Sequence, residues 1–252
     1  MRIHKIGLFF AMLLAGVNLV ESATITTNIA YAKRDVSPLD YYPDDTSNVY
    51  IVKGRITSQN FTPDLTDIYI QDTNDNVGIW VRSSEDLFVD MSTYTLGKEM
   101  QAQGQISQLN GVRMIVPRFD SWIPITDSTA KTVTPVYVLN SAIAADPEGY
   151  ESSLVRITNA TVTSGSIPGL GSSGGFTIND GTADLYVRVE ASTDVGGQLT
   201  PTNASTYTGI LLQYDTTPPP DSGYQLRLRS YSDIVQTTEE QPPQIFVVNS
   251  NA

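Results

Sequence analysis

The sequence predicts an all-β protein made of two tandem five-stranded barrels behind a cleaved leader. Three observations carry that prediction: a hairpin pattern that occurs twice, a period of two within it, and turn residues that space further strands at matching positions in each half. The first hairpin reads Asp67-Ile-Tyr-Ile-Gln-Asp72, a polar turn, then Ile79-Trp-Val-Arg82; the second reads Gly175-Phe-Thr-Ile-Asn-Asp180, a turn, then Leu185-Tyr-Val-Arg188. Alternation of apolar with polar or aromatic residues places one face in a core and the other outside. A repeat of this length means two copies of one small β domain, so function must be sought in what the outward faces carry.

Taken in order, residues 1–22 have the make-up of a secretory signal peptide: basic Arg2, His4 and Lys5, an apolar run from Ile6 to Val20, then small residues. The run is too short and wrongly flanked for a membrane anchor. Val20 and Ser22 occupy the two positions a signal peptidase reads, which puts cleavage after Ser22. Residues 23–48 form a polar lead-in with a short element at Ile29 to Lys33 and a turn at Pro43-Asp-Asp45, expected to pack on the first barrel.

The first barrel spans residues 49–126. Its strands are expected at Tyr50–Thr57, the two arms of the hairpin, Lys98–Ile106 and Val112–Pro117, with an irregular or helical stretch over Ser84–Thr95 and a turn at Gln108-Leu-Asn-Gly111. Five strands with a helix-like break between the third and fourth is the order of an OB-fold barrel. Residues 127–150 connect the halves, with a short strand and a helical turn between Pro135 and Pro147. The second barrel spans residues 151–235, with strands at Leu154–Val162, Gly175–Asn179, Asp184–Val189, Thr206–Gln213 and Tyr224–Arg229. Residues 236–252 are a linker-like tail ending in Ile245-Phe-Val-Val248, either an edge strand on the second barrel or the opening of a further domain.

Composition excludes whole classes of chemistry. The chain has no cysteine, and its one histidine, His4, leaves with the leader, so the mature protein holds no disulfide, thiol nucleophile, His/Cys zinc site or Ser-His-Asp relay. The net charge is −12, and loss of Arg2, Lys5 and Glu21 makes it one unit more acidic. Such a balance keeps a secreted protein soluble and works against high affinity for a polyanion. No cofactor is expected.

Several positions resemble the OB-fold repeats of secreted bacterial proteins, which also occur beside extracellular endonuclease/exonuclease/phosphatase-type domains. The residues that carry the likeness are Ala32-Lys33, Gly54-Arg-Ile-Thr57, Ile68 to Asp72, Gly78-Ile79 with Val81, Gly97 with Gly104, and Asn110-Gly111. In the second copy they are Leu154-Val-Arg-Ile157, Ile178-Asn-Asp-Gly181 with Val187, and Gly209. The resemblance spans Ile29 to Val235 and implies accessory binding or spacer modules without an assigned ligand. The chain has no nuclease part, so the likeness implies no nuclease activity.

If Ile68, Ile70, Ile79 and Val81 fill the first barrel, then Tyr69, Gln71, Trp80 and Arg82 share its outer face. Aromatic rings with an adjacent cation and amide make a stacking platform of the kind OB folds turn toward oligonucleotides or oligosaccharides. Arg55 is a further anion or hydroxyl partner, unless a bulge in its strand flips the alternation. Tyr186 and Arg188 form the weaker platform of the second copy. The alternative is that Tyr69 and Trp80 pack beneath the lead-in or against the other barrel.

Asp72 to Asn76 has oxygen side chains at alternate positions, yet Val77 stands where a calcium loop needs glycine and Ser83 where it needs a bidentate glutamate, which leaves a hairpin turn. Carboxylate pairs such as Glu85 with Asp86, or Asp184 with Glu190, are what an acidic chain produces by chance. The reading is therefore a non-catalytic module, secreted, at the cell surface or in the periplasm. Its ligand is a glycan, single-stranded nucleic acid or protein; the other reading is a structural spacer serving a partner domain.

Overall fold

The computed structural model describes residues 22–36 and 40–236; the expected leader, except Ser22, and the apolar run 245–248 expected to form a strand lie outside the described residues. The elements in chain order are β1 (Thr24–Thr26), α1 (Ile29–Ala32), β2 (Val49–Ile56), β3 (Asp67–Gln71), β4 (Gly78–Arg82), β5 (Glu99–Leu109), β6 (Val112–Val116), β7 (Ile125–Asp127) and β8 (Val136–Tyr137). They continue with α2 (Asn140–Ala145), β9 (Leu154–Gly165), β10 (Gly174–Asn179), β11 (Asp184–Val189), β12 (Ser205–Gln213), β13 (Tyr224–Arg227) and β14 (Ile234–Gln236).

Two seven-stranded sheets result, and each closes on itself. In the first, β2-β3-β4-β6-β5 form a ring because β5 also pairs with β2; in the second, β9-β10-β11-β13-β12 do so because β12 also pairs with β9. The protein is thus all-β, two OB-like barrels in tandem. Closure depends on one long strand serving two neighbours: Glu99–Gln105 of β5 pair with β2, while Gln105–Leu109 pair with β6. The strand hands over at Gly104, where a Cβ would lie 2.4 Å from the Val116 carbonyl oxygen. Gly209 has the matching role on β12, 2.6 Å from the Arg227 carbonyl. Only glycine permits backbones to approach so closely.

Each barrel holds its own core. Ile68, Ile70, Ile79 and Val81 lie inside the first with Tyr50, Met100 and Ile115, while Phe176, Ile178, Leu185 and Val187 lie inside the second with Tyr207 and Leu226. The parity read from the hairpins is therefore correct in both copies. The lead-in completes the first barrel: β1 runs parallel to β2, and Ile29 and Ala32 of α1 enter its core. The connecting segment likewise completes the second, since β8 runs parallel to β9 and Val138 and Ile143 enter that core.

The observed β9 runs to Gly165, three residues past the expected end at Val162. Its Thr-Ser-Gly tail looks like a loop by composition but is held as strand by β10, with a register shift at Thr177/Ile178. β13, by contrast, stops at Arg227 instead of Arg229.

Candidate binding cleft between the barrels

The outer face of β3 and β4 does not look into solvent. Tyr69 and Trp80, directly opposite across the hairpin, stack with ring centroids 5.9 Å apart and planes 3° from parallel. Phe61 meets Tyr69 edge-on at 6.5 Å. These rings pack with Val112 against Leu154, Ile210 and Leu212 of the second barrel, a third apolar cluster lying between the two cores. Tyr69 is 1% exposed and Trp80 7%. Of the two readings of this face, the open stacking platform is corrected and packing against the other barrel is the one found: parity put the rings outside the first barrel, and the second barrel covers them because an apolar outer face this large is stabilised by burial.

Polar groups fix the docking. The Gln71 side chain, fully buried, accepts a hydrogen bond from Leu154 N at 2.7 Å, and Gly78 N donates to Ser153 Oγ at 2.9 Å. Arg229 donates to the Thr57 carbonyl at 2.9 Å, and Gln59 to the Arg229 carbonyl at 2.7 Å. Lys33 reaches from behind α1 to Glu151, 3.3 Å away, inside the interface. Gln71 is therefore an interface strut and not the solvent-facing ligand group expected from sequence. Arg55, 8% exposed, is also taken: it donates to the Gly97 carbonyl at 2.8 Å and pairs with Asp127 at 3.1 Å, anchoring the start of the connecting segment.

Along one side of this interface a cleft of about 580 Å³ stays open. Five of the seven sequence-derived site residues line it: Tyr69 and Trp80 in the floor, Arg82, Tyr186 and Arg188 in the walls. Strands β3 and β4 supply one wall, β11 and β13 the other. The Trp80 indole donates to Asp67 Oδ1 at 2.7 Å, and Arg82 lies over the same ring, 4.9 Å from its centroid, while pairing with Asp67 Oδ2 at 3.4 Å. Tyr69 and Arg82 thus both pack on Trp80, which leaves it 7% exposed. The rings that remain open are Tyr186, 39% exposed, and Tyr214, 62%.

The opposite wall is organised by Glu190, which pairs with Arg188 and with Arg227, each at 3.3 Å. Burial alone would raise the Glu190 carboxyl, but hydrogen bonds from Arg188 and the charges of Arg227 and Arg188 outweigh it and hold the group below the usual carboxylate range. Arg227 also stacks on Phe61 of the first barrel, its guanidinium carbon 3.6 Å from the ring centroid, so it ties the two halves together. The cleft accordingly presents three guanidiniums, two carboxylates, two open tyrosine rings and the amide of Gln225.

Sequence reasoning did not single out Arg227, Gln225, Tyr214 or Asp67 for this site. A signal existed for two of them: along β13, Leu226 and Leu228 are buried, so Gln225 and Arg227 belong to the outer face by the parity used for the hairpins. Tyr214 follows the end of β12 and carried no periodic signal.

No protein-family model and no curated protein matches this chain. Among solved structures it is similar to a murine DNA-binding protein bound with double-stranded DNA, at 8% identity and a TM-score of 0.35, covering 75% of this chain and 97% of that one. It is also similar to the HINb domain of p204, at 11% identity and a TM-score of 0.32, covering 69% and 90% respectively. A deletion mutant of the single-stranded DNA-binding protein from Thermus aquaticus matches at 14% identity and a TM-score of 0.23, covering 78% and 96%. At such values none of these likenesses carries a ligand over to this chain.

Proposed function

We propose that this protein is a secreted, non-catalytic binding module whose ligand, a glycan, occupies the cleft between its barrels. The observation that carries the reading is the convergence of the outer hairpin faces of both copies on one cleft, with open tyrosine rings beside paired arginines and carboxylates. Sugars present hydroxyls that donate and accept at once, and an apolar ring face that stacks on tyrosine; alternating guanidinium and carboxylate groups match the first, Tyr186 and Tyr214 the second. The guanidiniums of this cleft are each paired in place, Arg82 with Asp67 and both Arg188 and Arg227 with the one Glu190, which leaves a single net positive charge. With an acidic chain around them, they offer little to a long polyanion. A Glu190 held ionised is the opposite of a general acid poised near neutral pH, which supports binding over glycoside chemistry. The basic and apolar make-up of residues 1–22 supports export.

A second reading, that the tandem barrels act as a spacer, is favoured by the burial of Tyr69 and Trp80 between them. Titration of the mature chain with neutral oligosaccharides and with short single-stranded oligonucleotides, read by tryptophan fluorescence and by chemical shifts of Tyr186 and Arg188, separates the readings. The expected outcome is saturable glycan binding, weakened at least tenfold by Tyr186→Ala and nearly unchanged by added salt. Binding only to oligonucleotides, falling steeply with salt, would replace the ligand class. Indifference to both leaves the spacer.

A further inference from the structure

The barrels enclose a second cleft, about 570 Å³, that shares no lining residue with the first. Its outer wall is the connecting segment, residues 130–135, and its inner wall is formed by β8, β9 and β12. In a chain of net charge −12 its lining holds three cations, Lys131, Arg156 and Arg229, and no carboxylate. Two of these have a carboxylate partner outside the lining: Lys131 lies 3.3 Å from Asp127, which it shares with Arg55, and Arg229 lies 2.6 Å from Asp233. Arg156 is different. Its Nε donates to Thr208 Oγ1 at 2.9 Å and one terminal nitrogen donates to the Tyr137 hydroxyl at 3.1 Å, and no ion pair to it is present among the described residues.

The guanidinium is therefore held in one orientation by neutral groups, the Tyr137 ring included, whose centroid is 5.5 Å from its carbon, and no carboxylate pairs with it among the described residues; its second terminal nitrogen is free of those two bonds. Such a fork matches the geometry of a carboxylate. Leu96, Val133 and Leu154 give the same cleft apolar walls, and its volume is in the range of small-molecule sites. We propose that this second cleft binds a carboxylate-bearing ligand, the carboxylate against Arg156 and an apolar face against Leu96, Val133 and Leu154. A free organic acid and an acidic sugar of a glycan share this chemistry.

The test follows the Arg156 Nε signal and the backbone amides of residues 131–134 by NMR while the mature chain is titrated with benzoate, with an oligogalacturonate, with inorganic phosphate and with chloride at matched ionic strength. The expected result is saturable shifts with one or both carboxylates and none with chloride; which carboxylate binds more tightly identifies the source. Arg156→Gln should weaken that binding at least tenfold. Because that variant also loses the Tyr137 and Thr208 contacts, Thr134→Glu is the companion: it places a carboxylate on the exposed wall, leaves Arg156 intact, and should weaken binding as much with an unchanged melting temperature. Shifts equal to those of chloride, tighter binding of phosphate than of either carboxylate, or affinity surviving in both variants would overturn the proposal without touching the first cleft.

Discussion

Glu190 shows how much of the binding cleft is set by one side chain. It is the shared acceptor of Arg188 and Arg227, and Ser173 reaches it from the neighbouring loop at 3.2 Å. A carboxyl whose folded-state pKa is depressed binds protons less readily in the folded chain than in the unfolded one. Its stabilising contribution is present above the unfolded value, about 4.3, and is lost as pH falls through the folded value. Glu190→Gln should therefore destabilise the protein in urea at pH 7, and that difference should shrink steadily as pH falls below about 4.3. A gap that stays constant with pH would mean the arginines are not held through the charge of Glu190. Arg188 was legible as a site residue because it repeats Arg82 of the first hairpin, whereas Glu190 was set aside as one carboxylate among many. Nothing local to Glu190 marks the arrival of Arg227 from β13, which is 37 positions further along the chain.

At the scale of elements, the hairpins, the Asn110-Gly111 turn and the short strand and helix of the connecting segment could all be read because each is fixed by local chemistry: alternation, turn residues and bounding prolines. The close docking of β4 was not local. Gly78 opens that strand, donates to Ser153 Oγ at 2.9 Å and accepts from Lys33 Nζ at 3.2 Å; a Cβ on it would lie 1.9 Å from the Ser152 carbonyl oxygen, which is backbone and has nowhere to move. Gly78→Ala should cost about 1–3 kcal/mol, as forced overpacking does. Gly169→Ala, where an added Cβ meets nothing within 4 Å, should stay within about 0.5 kcal/mol of the parent. Equal denaturation midpoints for the two variants would show that β4 and the Ser152–Ser153 segment are not in the contact described.

The whole molecule is where the sequence was least informative, because parity states which residues leave a barrel and is silent on what meets them outside. One sign was present: Ile210-Leu211-Leu212 is apolar without alternation, as strands covered on both faces are, and Leu211 fills the second core while its two neighbours join the interface cluster. The same interface encloses charge. Lys33 and Glu151 have side chains 6% and 0% exposed; burial pulls the Lys33 ammonium down and pushes the Glu151 carboxyl up from their ordinary values, each against the pull of its partner. The Lys33 ammonium also donates to the Glu151 carbonyl at 2.7 Å, and Arg113 N points at the Glu151 carboxylate, so the lead-in, the first barrel and the second meet at this one pair. Removing one member leaves the other as an uncompensated charge in the interface, which costs about 3–5 kcal/mol; replacing both by apolar residues of similar volume removes that penalty. Lys33→Met should therefore lower stability by an amount in that range, and Lys33→Met with Glu151→Met should recover a large part of it. Because the pair joins both barrels, the loss should appear in the common unfolding transition, followed in parallel by the fluorescence of Trp80 and Trp122 and by far-UV circular dichroism. Two separated transitions in the parent protein would mean that this pair does not couple the barrels, and a double variant no more stable than the single one would mean that the loss is not that of an unpaired buried charge.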